Sequence, residues 1–154
     1  MGTERQHRTV DTLLQLKDAG LIAASAACQV GGVDKILDLG PGKVDAAVMV
    51  DISAMEVASG DESYTVCWQL SSSATFASTI ISLIQIPLGD AAAVAILGDV
   101  DVPPAGTGRV IVPVTNVVND VVYRYARLYT VVAGTIATGI NYSAYLVKSA
   151  ANAG

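Results

Sequence analysis

Strict period-two alternation in residues 123–148 (YRYARLYTVVAGTIATGINYSAYLVK) constrains this chain more than any other feature, because side chains of a strand point to opposite faces in turn. Tyr123, Tyr125, Arg127 and Tyr129 fall on one side of the first run, with Arg124, Ala126, Leu128 and Thr130 on the other. In the second run Ile140, Tyr142, Ala144 and Leu146 oppose Asn141, Ser143, Tyr145 and Val147. With a Gly/Thr-rich connection between them, the two runs read as a terminal β-hairpin, and they hold five of the six tyrosines. A tyrosine and arginine face suits protein contact, since both side chains combine large area with a polar end. Tyr123, Tyr125, Arg127, Tyr129 and Tyr145 are therefore the candidate interface residues. The plainer reading of the same pattern is cross-strand packing with hydroxyls in water.

Other segments repeat the pattern. Val44, Ala46, Val48, Val50 and Ile52 alternate with Asp45, Ala47, Met49 and Asp51, which describes a half-buried strand. Tyr64, Val66, Trp68 and Leu70 oppose Thr65, Cys67 and Gln69, making Trp68 a core anchor. Residues 79–88 are apolar on both faces and read as a buried or covered strand, and residues 92–97 as a further one. Pro113 interrupts the alternation of Val110, Val112 and Val114, so that strand belongs at an edge or carries a bulge. A short strand over residues 35–39 ends at the turn Gly40-Pro41-Gly42; Gly60-Asp61-Glu62 and Asn119-Asp120 also read as turns. Residues 1–30 alternate poorly and read as an arm outside the core, with short helix or extended chain both open. The sum is all-β: an antiparallel jelly-roll-like β-sandwich of about eight strands over residues 31–154, with an N-terminal arm over 1–30.

Composition excludes several functions. A net charge of −5 and nine scattered Lys and Arg disfavour nucleic acid. With His7 the one histidine, there is no material for a histidine-based nucleophilic triad or metal site, and no catalytic, cofactor-binding or metal-binding residue is assigned. Cys28 and Cys67 read as small buried hydrophobes, their pairing left open. Gly40-Pro41-Gly42-Lys43 lacks the earlier glycine and the Ser or Thr of a phosphate loop. The pairs Asp61/Glu62 and Asp99/Asp101 lack the further ligands of a calcium loop and read as solvated carboxylates. Residues 63–89 and 128–147 are uncharged but carry the Gln, Ser, Gly and Thr of strand and turn, so no membrane span is expected, nor an export signal. An apolar content of 52% against 15% charged is high for a freely soluble monomer and points to a protein partner.

The runs LDLGPGKVDAAVMVDISAMEVASGDESYTVCWQLSSSATF, GRVIVPVTN and YRYARLYTVVAGTIATGINYSAYLVK resemble the small capsid cement proteins of tailed bacteriophages, in particular the jelly-roll type of a Bordetella short-tailed phage. The resemblance covers residues 36–148. It implies a non-enzymatic decoration protein on the outer capsid surface of the virion, assembled in the bacterial host cytoplasm. Its partners would be the major capsid protein and itself, as homodimer or homotrimer, with neither nucleic acid nor membrane. A carbohydrate-binding jelly roll of the virion-adhesin kind is the alternative, and a sandwich-fold glycosidase lacks the aromatic cleft it would need.

Overall fold

The computed structural model describes residues 12–89, 99–100 and 108–148. After a 3₁₀ turn at Thr12–Leu14, short strands follow in quick succession: β1 Gln15–Lys17, β2 Leu21–Ile22, β3 Ala26–Ala27, β4 Gln29–Val30, β5 Val33–Asp34 and β6 Leu37–Asp38. The long strands are β7 Asp45–Met55, β8 Ser63–Ser71, β9 Ile81–Leu88, β11 Gly108–Thr115, β14 Tyr125–Ala133 and β15 Ile140–Lys148; between them lie β10 Asp99–Val100, β12 Val117–Val118 and β13 Val121–Val122.

While β4–β5 and β12–β13 form separate two-stranded ribbons, the other strands build two antiparallel sheets packed as a sandwich. One runs β1-β15-β7-β11-β10, with β2 also on β15; the other runs β3-β14-β8-β9, with β6 also on β14. The apolar phase of each long strand faces inward. Val48, Val50 and Ile52 of β7, Val110 and Val112 of β11, and Ile140, Tyr142 and Leu146 of β15 meet Tyr64, Val66, Trp68 and Leu70 of β8 and Ala126 and Leu128 of β14 in one core. Trp68 is buried there, its indole N–H donating to the Thr115 carbonyl at 3.0 Å.

The terminal pair is not a hairpin. β14 pairs with β8 from Tyr125↔Ser71 to Ala133↔Ser63, whereas β15 pairs with β7, so residues 134–139 carry the chain from one sheet to the other. Six residues reach up to about 20 Å, enough to cross sheets stacked about 10 Å apart. Local alternation is the same for a hairpin and for a crossing; the connection's anchorage decides. Gly134 and Gly139, both at φ +95°, press against the carbonyls of Asp61 and Ile22, where any β-carbon would collide.

The expected arm boundary at residue 30 is also corrected. Leu16 and Cys28 are core residues, β1 and β2 extend the first sheet along β15, β3 adds to β14, and β4–β5 pair across residue 30. Their pairing is scattered through two-residue strands too short to show periodicity. The expectation of a buried or covered strand over residues 79–88 is corrected: among the described residues β9 is the last strand of its sheet, with Ile86 and Leu88 buried and Ser82 and Gln85 exposed. On β7 both phases are buried, because Ala47 and Met49 join Val147 in a small cluster on the outer face. On β11 Pro113 pairs with Ala47 of β7, and among the described residues β10 meets Val110 and Ile111 on the other side. The strand expected at 92–97 lies outside the described residues.

Candidate protein-contact face

The outer face of the second sheet is built around β14. The register sets Tyr125 beside Ser71 of β8 and Asp38 of β6, Arg127 beside Gln69, and Tyr129 beside Cys67 and Ala27. Ala126, Leu128 and Thr130, one residue out of phase, are buried, so the half-buried Tyr125, Arg127 and Tyr129 form one outward row. Val131 continues the row and is exposed.

Arg127 is held in place from three sides. Its Nε donates to Gln69 Oε1 at 2.9 Å, and its guanidinium lies 4.3 Å from the Phe76 ring centroid and 5.4 Å from that of Tyr129. Phe76 reaches this position because the β8–β9 loop folds back at φ +55°, closed by Phe76 N–H to the Ser73 carbonyl and braced by the Ser73 hydroxyl, which accepts from Thr75 and Ala77. The serine-rich break therefore has a job: it brings an aromatic ring against the cation. Beside the row, Arg124 forks onto Asp38 at 2.7 and 2.8 Å and lies 5.6 Å from the Tyr125 centroid. The Arg124 hydrogen bond, with the Gly40 N–H, holds the Asp38 carboxyl down at about 2.

Two candidates stand elsewhere. Tyr123 precedes β14 and packs against the core, its N–H donating to the Asn116 carbonyl. Tyr145 points from the opposite sheet, where its hydroxyl accepts from Gln15 Nε2 at 3.2 Å and its ring packs on the Ala47, Met49 and Val147 cluster. The interface residues read from the sequence thus split into a coherent trio and two outliers.

The chemistry-bearing groups that do touch are inside. Lys17 Nζ donates to the carbonyls of Asp18, Gly20 and Tyr142 at 2.8, 3.0 and 2.8 Å, and sits 4.6 Å from the Tyr142 ring centroid. The Tyr142 hydroxyl bonds to Thr130 and, at 3.0 Å, to the Cys28 thiol. Burial lowers the Lys17 pKa and raises those of Cys28 and Tyr142, keeping the thiol protonated and unreactive. A depression of about 210 Å³ opens beside Lys17, but the lysine's donors are already committed to carbonyls. Cys28 and Cys67 are both free and buried.

Acidic side chains serve as fasteners. Asp61 takes the Thr135 N–H and hydroxyl, and Glu56 takes the N–H groups of Ala137, Thr138 and Gly139. Glu62, expected in solvent, is fully buried and accepts from Ser59 and Asp61 N–H. Among the described residues no cluster of three or more His, Cys, Asp or Glu could hold a metal ion, and no helix is long and apolar enough to cross a membrane.

No protein-family model and no characterised protein matches this chain by sequence.

Proposed function

We propose that this chain is a capsid cement protein that binds the outer surface of a tailed-phage head and joins neighbouring major capsid subunits. What supports the reading is the family resemblance of residues 36–148 together with one observation: Tyr125, Arg127 and Tyr129 stand in a single outward row on an interior strand of the sheet, whose alternate residues Ala126 and Leu128 are anchored in the core. A cement protein needs a preformed face, because side chains ordered before binding lose less entropy in the complex. Tyrosine and arginine are the residue types that dominate such contacts. Copies repeated over a shell then act together, each second contact being made at high effective concentration.

The test uses the double variant Tyr125→Ser, Tyr129→Ser and empty heads assembled from a tailed-phage major capsid protein with which the wild-type chain cosediments. Cosedimentation should fall by about tenfold or more, while the thermal midpoint moves by only a few degrees. Undiminished binding would overturn the assignment, and so would loss of the fold, since the trio would then belong to the core. Strong saccharide binding on a glycan array, abolished by the same pair of changes, would instead establish the carbohydrate-binding alternative.

A further inference from the structure

Arg127 differs from the other arginines whose surroundings are described. Arg109 forks onto Asp51 through Nε and Nη2 at 2.6 and 3.2 Å, and Arg124 forks onto Asp38 in the same way. Arg127 spends Nε on the neutral amide of Gln69, and among the described residues its two Nη groups meet neither a carboxylate nor any other acceptor. The whole segment 63–89, which supplies the neighbouring strands β8 and β9 and their loop, carries no charged residue. A half-buried cation thus lies between two tyrosines, with no charged residue on the β8–β9 side and the nearby Asp38 already taken by Arg124.

We propose that Arg127 is the charge-reading centre of this face and that the protein docking there presents an Asp or Glu side chain end-on to its Nη groups. This rests on the contact face proposed above. Any partner broad enough to cover Tyr125 and Tyr129 must also cover Arg127, which lies between them. Covering it without an acceptor strands a desolvated charge, whereas a carboxylate fits the guanidinium fork and forms the stronger, charge-assisted kind of hydrogen bond. The Phe76 and Tyr129 rings and the Gln69 amide fix the fork beforehand, so little rotamer freedom remains to be lost. A second copy of this chain is a poor occupant of the same face. A two-fold interface centred on the row would set Arg127 against its own equivalent, and like charges in contact oppose association.

The experiment pans a random twelve-residue peptide library against the immobilised full chain, then measures the selected peptides by fluorescence polarisation against the wild type, Arg127→Gln, Arg127→Lys and Tyr125→Ser. Selected peptides should be enriched in Asp or Glu. Replacing that acid by its amide should weaken binding to the wild type by about tenfold or more but change binding to Arg127→Gln little, the coupling expected of a direct pair. Arg127→Lys should fall between, keeping the charge and losing the fork, and thermal unfolding should show all variants folded. Selection of no peptide, or equal losses on the wild type and Arg127→Gln, overturns the inference. Neutral peptides that lose affinity with Tyr125→Ser overturn it too, while leaving the contact face itself standing.

Discussion

Glu62 has no exposed surface, and its oxygens accept the N–H groups of Ser59 at 2.6 Å and Asp61 at 3.1 Å, closing the turn between β7 and β8. Asn116 does similar work at the other end, its amide donating to the Gly42 and Tyr123 carbonyls and its oxygen accepting the Val44 N–H at 2.7 Å. Both are fully buried polar side chains whose partners are backbone groups that would otherwise lack acceptors or donors. Removing such a partner exposes the full desolvation cost of what is left. Glu62→Ala should therefore lose about 2–4 kcal/mol in urea unfolding with the slope unchanged, and Glu62→Gln, which keeps an acceptor, about half of that. A loss within about 0.5 kcal/mol for Glu62→Ala would show that the turn holds without the carboxylate.

The long strands announce themselves by period: the inward phases of β7, β8, β14 and β15 can be read from alternate letters, and with them the outward trio of Tyr125, Arg127 and Tyr129. The neighbours of that trio cannot. Gln69 and Phe76 come to Arg127 through cross-strand register and a left-handed backbone turn, neither of which has a local signature. The same limit explains the hairpin that turned out to be a sheet-to-sheet crossing, because its anchors, Glu56 and Asp61, lie far upstream in the chain. Hydrogen bonds from the Gly139, Thr138 and Ala137 N–H groups lower the Glu56 pKa, and those from Thr135 lower that of Asp61. A carboxyl depressed in the folded state contributes stability that is fully present above its unfolded value and is lost as pH falls through the folded one. Residues 134–139 should accordingly loosen below about pH 4. In an NMR titration from neutral to acid, the amides of Thr135, Ala137, Thr138 and Gly139 should shift together, and Glu56→Gln should abolish the response of the last three. Amides indifferent to pH would mean that the carboxylates do not pin the crossing.

Both sheets depend on residues 12–30, although these supply only fragments of strand. Through Lys17 the segment grips the Asp18, Gly20 and Tyr142 carbonyls, and through Cys28 it reaches the Thr130 and Tyr142 hydroxyls, so it touches β14 in one sheet and β15 in the other. Backbone bonds repeat the stitch: Cys28 N–H donates to the Leu128 carbonyl, Lys35 N–H to that of Cys28, and Asp18 N–H to that of Gln29. A dispensable arm would leave the sandwich intact when removed. Here removal uncovers Leu16 and Cys28 sites in the core, strips the outer edge of β15, and leaves the Thr130 and Tyr142 hydroxyls short of a partner, each a recognised route to large destabilisation. A chain starting at Gly31 should consequently fail to give a cooperative thermal transition or dispersed amide resonances. In that case loss of head binding by the truncated chain reports unfolding rather than a missing contact, which is why the point variants at Tyr125, Arg127 and Tyr129 carry the functional test. A truncated chain that folds with a midpoint within a few degrees of the full one would restore the arm as a separate element.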